Sequence, residues 1–479
     1  MQEPARSRVV DPDEPEGQVP ATVAVPLRRL IPLIGAPLLA VLVYFMLPEA
    51  MGELPRRSVA IFIIAAMWWA TEAIPLYATS LCLIGLQVLL LAEHGGFAPE
   101  GDLSFQQFFA PFASPVIILF MGGFLLASAV TKHGLDRAIA ARVLSRFTSG
   151  PLLLIYGVMG ITAFFSMWMS NTATSAMMVA IVAPLLKGIS DEEGGHRFAT
   201  AIVLAVPLGA NIGGIGTPIG SPPNAVALAA LRGAGFEMTF LQWMLVGVPL
   251  LVLLLAVAGL LLFKLMPPAG GLVLPRLRER AAVPWRGKVT LGILMLTIVL
   301  WLTGGWTGIP DAVVALIAAA LLTALGMLSR SDVDSIDWNI LILMWGGLAL
   351  GNAMTLTGLV DVITELPLAE LRGFWLSLAV VILAVGLSTF MSNTAAANLI
   401  IPIAMAIGAT QALQLALLTA LACSFAMALP ISTPPNAIAF ATGRLPAATL
   451  LRVGGLISIV CIIVLLAGYQ IVLPLVLGR

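Results

Sequence analysis

Charge is what this sequence has least of. Of its 479 residues only 10% are charged, where a soluble domain carries about 25% to keep its surface wet. The 24 basic and 24 acidic residues cancel, and no basic patch stands out, so nucleic acid is not an expected partner. Cysteine is nearly absent: Cys82, Cys423 and Cys461 lie far apart in apolar runs. They form neither a disulfide framework nor a metal-ligand spacing and read as small core residues. His94, His133 and His196 stand singly near loops, which argues against a histidine metal site or a catalytic triad. No His-Glu-x-x-His, no Gly-x-Ser-x-Gly and no acid pair within an apolar run is present. The chain therefore does not read as an enzyme.

Apolar residues are what is abundant. Hydrophobic residues make up 60% of the chain, and the mean hydropathy is +1.04. An outer surface facing lipid fits this composition, with many spans of about 20 residues. Spans are expected near 30–48, 56–74, 76–93, 114–136, 200–230, 239–265, 288–304, 310–328, 338–360, 411–441 and 448–476. Residues 1–28 are polar and rich in Pro and Glu and read as a disordered tail. The first apolar run lacks a small-residue cleavage site, so it reads as a retained span, with the first transmembrane helix within 29–55. Two further apolar stretches, 151–186 and 373–408, hold a polar knot at their middles and read as re-entrant hairpins. With the N-terminus placed in the cytoplasm, 19 of the 24 basic residues fall on inner segments, as the positive-inside rule requires.

The 45 glycines and 32 prolines are many for so apolar a chain. Broken helices are tolerated in a bilayer only around a cavity or inside protein. Several of these breakers belong to an internal repeat. Phe120-Met121-Gly122-Gly123 echoes Met344-Trp345-Gly346-Gly347, and Gly134-Leu135 echoes Gly358-Leu359. Ser170-Asn171-Thr172-Ala173 recurs as Ser392-Asn393-Thr394-Ala395, and Ser221-Pro222-Pro223-Asn224 as Thr433-Pro434-Pro435-Asn436. Trp69 with Ile74-Pro75 is loosely matched by Trp301 with Ile309-Pro310. The predicted organisation is a first repeat over 56–265, a cytoplasmic linker over 266–287 and a second repeat over 288–479. Five full crossings separate matching points, an odd number, so the second repeat is expected to be inverted.

The polar knots carry the chemistry. A hairpin tip at the bilayer centre exposes the N-terminus of its second half-helix, with unpaired N–H groups and a partial positive charge. Asn amide and Ser/Thr hydroxyl groups add donors, so a Ser-Asn-Thr tip can hold an anion without Arg or Lys. Two such tips facing each other suit an anion with two negative ends. The breaks, Asn211 to Asn224 and Pro430 to Asn436, free backbone carbonyls through Pro and Gly. Those carbonyls, with Asn and Ser oxygens, are ligands of the kind a sodium ion takes. Carrying a bare dianion against an inside-negative potential costs about 2.3 kcal/mol per charge per 100 mV, and bound cations offset it. Glu72, in Trp68-Trp69-Ala70-Thr71-Glu72-Ala73-Ile74-Pro75, reads as a structural hydrogen-bonding acid away from the tips. The Gly122-Gly123 and Gly346-Gly347 pairs read as close helix packing.

From about residue 30 onward the chain resembles the divalent anion:sodium symporter family, through the Trp68 to Pro75 segment, both Ser-Asn-Thr tips and both Pro-Pro-Asn breaks. The resemblance implies an all-α polytopic membrane protein with inverted repeats, about eleven transmembrane helices and two re-entrant hairpins. It also implies a homodimer in which a transport domain moves against a fixed scaffold by an elevator motion. Carried over by motif, one sodium site uses Ser166, Ser170, Asn171 and Gly220, and the other Ser388, Ser392, Asn393 and Ser432. Ser432 stands where a small residue offering its carbonyl is expected. Substrate carboxylates meet Ser170, Asn171, Thr172 and Ser221 on one side and Ser392, Asn393, Thr394, Thr433 and Pro434 on the other. The expected activity is sodium-coupled import of C4-dicarboxylates such as succinate, malate or fumarate across the cytoplasmic membrane. A citrate or sulfate carrier, or a dicarboxylate exchanger, on the same fold are the alternatives. An ion channel fits less well, since no ring of charges or carbonyl filter sequence is present.

Overall fold

The computed structural model describes residues 27–93, 97, 103–187, 189, 193–268, 283–365 and 373–477. Most of the predicted tail, most of the predicted linker and His94 lie outside them. Among the described residues every regular element is a helix. The first group is α1 (Leu27–Met46), α2 (Glu53–Thr71), α3 (Leu76–Leu91), α4 (Gln106–Phe109), α5 (Pro115–Lys132) and α6 (Leu135–Leu144). Next come α7 (Pro151–Ser166), α8 (Asn171–Lys187), α9 (Glu193–Gly213), α10 (Pro222–Gly233) and α11 (Phe240–Leu265). The second half holds α12 (Trp285–Leu302), α13 (Gly304–Thr307), α14 (Asp311–Ala324), α15 (Arg330–Asp334), α16 (Trp338–Leu356) and α17 (Leu359–Thr364). It closes with α18 (Gly373–Phe390), α19 (Asn393–Ile407), α20 (Ala412–Cys423), α21 (Pro434–Ala441), α22 (Ala447–Thr449) and α23 (Gly455–Leu477).

Local chemistry explains many of these ends. Ser114 caps α5 by accepting the Val116 N–H, with Pro115 in the first turn. Thr239 and Gln242 form a reciprocal capping box on α11. Gly134 (φ 65°) and Gly358 (φ 75°) adopt the left-handed conformation and stop α5 and α16 at matching points. The stretch 151–186 holds the helix pair α7 and α8 and the stretch 373–408 the pair α18 and α19, while α9 and α10, and α20 and α21, are each separated by a non-helical segment. Among the described residues seven helices are long and apolar enough to cross a membrane, and α19 with α20 forms one further pair bent by 112°. Helices α3, α7, α8 and α14 are apolar but shorter.

The two halves interlock. A Cβ at Gly122 of α5 would lie 2.7 Å from Ala315 of α14, and one at Gly346 of α16 would lie 2.3 Å from Ser80 of α3. Each half therefore presses a glycine against the other half's helix, in matching positions. The broken helices cross over in the same way: α10 packs on α19 and α20, and α21 on α8 and α9. Trp69 donates to Leu76 O (3.3 Å) as Trp301 donates to Asp311 O (3.0 Å), which makes the loose Trp/Ile-Pro match a structural one.

One contact set breaks the matching. Helices α10 and α19 pack on α16, and α10 also on α5. Among the described residues no comparable packing joins α8 or α21 to α5 or α16. Accordingly, residues 394–401 of α19 are all buried, while Thr172, Ala176, Ala180 and Pro184 form an exposed stripe on α8. Asn398, fully buried on α19, sits over Gly347 of α16, where a Cβ would be 2.0 Å from its amide. Its Nδ2 donates to Leu343 O at 3.2 Å.

Some expectations are corrected. Helix α6 and the short α4, α13, α15 and α17 fall outside the predicted spans or at their ends, because short polar or amphipathic turns carry no hydropathy signal. Cys82 is exposed, and only Cys423 and Cys461 are core residues. Among the described residues Glu72 makes no side-chain hydrogen bond; it is exposed at the C-terminus of α2 with φ 47°, the single described non-glycine residue at positive φ. That conformation costs an ordinary residue about 1 kcal/mol.

Candidate functional site

The first hairpin turns at Met167 to Ser170, and Ser170 caps α8 by accepting the Ala173 N–H at 3.2 Å. Inside the turn, the Ser166 hydroxyl lies 2.5 Å from Asn171 Oδ1 and 2.8 Å from Ala210 O. The second hairpin repeats this arrangement: the Ser388 hydroxyl lies 2.7 Å from both Asn393 Oδ1 and Cys423 O. Ala210 and Cys423 are thus equivalent positions on α9 and α20. In each half a serine on the first hairpin arm, an asparagine on the second and a carbonyl near the end of the broken helix converge.

The break after α9 is folded onto this tip. A Cβ at Gly220 would lie 2.6 Å from Gly214 O and 3.0 Å from Ser166 O, and one at Gly214 would lie 2.9 Å from Asn171 Oδ1. Only glycine allows so close an approach: the carbonyl oxygens of Gly214 and Ser166 crowd Gly220, and the Asn171 amide and the Gly220 carbonyl crowd Gly214. The loop is braced from outside: Trp243 Nε1 donates to Ile215 O (3.0 Å), and the Thr217 hydroxyl donates to Met167 O. Asn224 Nδ2 donates to Gly214 O and Thr217 O, both at 2.8 Å. Asn436 Nδ2 does the same for Leu429 O at 2.9 Å. These asparagines tie down the carbonyls that the breaks release. Ser432 donates its hydroxyl proton to Thr389 O (2.8 Å), which ties the second break to the first arm of the second hairpin.

Both short half-helices begin alike. Ser221 and Thr433 occupy the N-cap positions of α10 and α21 in extended conformation, each followed by two prolines. Ser221, Thr394, Ser432 and Thr433 are buried, Ser170, Asn171, Ser392 and Asn393 half-buried, and Thr172 and Pro434 exposed. The N-termini of α8 and α10 lie beside the Ser166 cluster and those of α19 and α21 beside Ser388 and Thr389, and no ionised side chain lies on the two tips or breaks. Such a setting favours an anion through N–H groups and hydroxyls and a small cation through neutral oxygens.

Asn211 connects the two halves. From the end of α9 its Nδ2 donates to Thr433 Oγ1 and Asn436 Oδ1, both at 3.3 Å. The sequence reading placed Asn211 at the head of the break but gave it no role. Its counterpart in the second half is Ser424, so the repeat comparison hid it. Beside the first tip, Trp168 stacks nearly parallel to Trp301 (6.4 Å) and Phe240 (6.1 Å), joining the hairpin turn to α11 and α12.

The chain is similar to known proteins over most of its length. The family model described as the sodium:sulfate symporter transmembrane region matches residues 28–476. The sodium-dependent dicarboxylate transporter SdcS of Staphylococcus saprophyticus is 31% identical, over 94% of this chain and 92% of its own. An uncharacterized transporter of Haemophilus influenzae is 30% identical, over 90% of this chain and 96% of its own. Among solved structures, MtrF of Neisseria gonorrhoeae, described with a class of antimetabolite efflux pumps, aligns with TM-score 0.55 at 12% identity. It spans 85% of this chain and 96% of its own. YdaH of Alcanivorax borkumensis aligns with TM-score 0.52 at 15% identity, over 86% and 97%. At such identities these two likenesses bear on the fold. The chain belongs to the divalent anion:sodium symporter family, whose members are membrane transporters and not enzymes.

Proposed function

We propose that the protein is a sodium-coupled secondary transporter that imports C4-dicarboxylates, among them succinate, malate and fumarate, across the cytoplasmic membrane. The observation that carries this reading is the twofold recurrence of one polar cluster. The oxygens of Ser166, Asn171, Gly214 and Gly220 in the first half are matched by Ser388 and Asn393 with Ser432 in the second. A serine hydroxyl has one proton, so of the two oxygens beside Ser166, or beside Ser388, only one can receive it. The other keeps a lone pair for a cation. Two sodium ions held this way leave the N-termini of α8, α10, α19 and α21 for the two ends of a dicarboxylate. Ser170, Asn171, Thr172 and Ser221 would serve one end, and Ser392, Asn393, Thr394, Thr433 and Pro434 the other. The dicarboxylate relatives support the substrate class.

In this reading the repeats are inverted, the N-terminus is cytoplasmic, and the functional unit is a homodimer. A transport body carrying both hairpins and both broken helices moves against a scaffold that includes α3, α5, α14 and α16. The unequal docking of α19 and α8 marks one end state of an elevator motion. The exposed α8 stripe carries threonine, alanine and proline where lipid-facing surfaces of this chain carry Leu, Ile and Phe, so it lines a water-filled approach. With hairpin one entering from the cytoplasm, the state faces inward.

Uptake of labelled succinate into proteoliposomes, with and without a sodium gradient, tests the activity. Sodium-dependent uptake inhibited by malate and fumarate is expected. Uptake confined to sulfate or citrate, or indifferent to sodium, would refute it. Asn171→Ala and Asn393→Ala should each lower uptake at least about tenfold, the effect of losing one hydrogen bond to a charged group, with an unchanged elution volume. Near-normal uptake in either variant would remove the tips from the site.

A further inference from the structure

We propose that Asn211 is a positioning residue that makes Thr433 an obligate proton donor toward one carboxylate of the substrate. The inference rests on the dicarboxylate reading and adds to it a residue that is not part of the motif set. A threonine hydroxyl has one proton to give and two lone pairs to receive. Thr433 Oγ1 already receives two donors: the Asn436 backbone N–H, as the cap of α21, and Asn211 Nδ2, both at 3.3 Å. The orientation of Asn211 is fixed by its surroundings. Asn436 spends its own Nδ2 on Leu429 O (2.9 Å), so its Oδ1 faces Asn211 and demands a donor. The Asn211 amide therefore presents its two protons, one to Asn436 and one to Thr433. With both acceptor directions filled, the Thr433 proton has no place but away from them, and no acceptor within the described residues takes it. An anionic oxygen is the partner that geometry calls for.

The first half lacks this device. Ser424 stands where Asn211 stands, one position after the matched Cys423 and Ala210 carbonyls. Its hydroxyl is fully buried without a partner, and so is the Oδ1 of Asn224. A serine side chain is one amide too short to bridge them. Ser221 makes no capping bond through its side chain, so its hydroxyl keeps both roles. The two ends of the substrate are thus read differently: Thr433 as a fixed donor, Ser221 as an adaptable group.

The experiment is a double-mutant cycle on the full chain in proteoliposomes, following succinate uptake under a sodium gradient. Asn211→Ala should raise KM for succinate about tenfold with the maximal rate within about twofold. In a Thr433→Val background the same change should alter KM less than about twofold, because there is no hydroxyl left to orient. Asn211→Asp is the second variant. Ionised, it cannot donate and takes the Thr433 proton, so KM rises; protonated, it donates again, so KM falls back as pH is lowered. Elution volume and melting temperature without substrate identify variants that fail to fold. Additive effects in the cycle, or an Asn211→Asp variant whose KM follows the wild-type pH profile, overturn the assignment while leaving the dicarboxylate reading intact. Absence of sodium-dependent succinate uptake by the wild-type protein overturns both.

Discussion

Replacing Gly347 by alanine should shift the protein out of the arrangement described here. The added methyl would lie 2.0 Å from the Asn398 amide, where carbon contacts settle at about 3.5 Å or more. Two ways of relief exist. Asn398 can turn away, which breaks its bond to Leu343 O and orphans a fully buried amide, at about 1–3 kcal/mol. Alternatively α19 can lift from α16, giving up packing of similar worth. A penalty of about 2 kcal/mol on the docked state changes its ratio to the alternative state about thirtyfold. In the alternative state of the proposed elevator motion the exposed face of α8 would be covered. The assay is the labelling rate of a single cysteine at Ala176→Cys by a membrane-impermeant maleimide, with Cys82, Cys423 and Cys461 replaced. Labelling should slow several-fold in Gly347→Ala, and Asn398→Ala in the same chain should restore it by removing the obstructing amide. Unchanged labelling in Gly347→Ala, or a double variant no faster than the single, would refute the reasoning.

Two other outcomes are expected. Gly220→Ala places a methyl 2.6 Å from Gly214 O and 3.0 Å from Ser166 O, and the shift of backbone this forces should raise the sodium concentration for half-maximal uptake about tenfold or more; an unchanged sodium titration would exclude this cluster as a cation site. Burial pushes the Asp332 carboxyl up, but hydrogen bonds from Lys132 and Ser329 outweigh it and hold the acid at about 2, below its usual 3.8. A depressed acid stabilises the fold above its unfolded value and loses that contribution as pH falls through the folded one. The pair is partly exposed, so about 1 kcal/mol or less is at stake; melting temperatures of wild type and Asp332→Asn should differ at pH 6 and converge between pH 4 and 2, and a constant gap would contradict the linkage.

The helix pairs, the breaks and the Ser–Asn contacts at the turns are legible in the sequence because each pairs an apolar run with a polar interruption, and each occurs twice. Ser166 with Asn171 and Ser388 with Asn393 are five residues apart, so one helix turn and a tight corner suffice to join them. Contacts between distant segments left less trace. Asn398 looks like any polar residue in an apolar helix until Gly347 is found opposite. Asn211 was hidden because its counterpart is a serine. The amide nitrogens of Asn224 and Asn436 turned out to brace carbonyls, since a sequence shows an amide but not which of its ends faces inward. Glu72 misled for a related reason: its distinction lies in a backbone torsion, and torsions at a corner are not written in side-chain chemistry.

The reciprocal seating of Gly122 on α14 and Gly346 on α3 has a consequence for biosynthesis. When the ribosome has delivered α3, α5 and α10, the surfaces they close against have not yet been made. The N-terminal half must wait in the membrane, its glycine faces uncovered, until the C-terminal half threads in. A chain truncated between the repeats would present those faces to lipid and to the quality-control proteases that survey it.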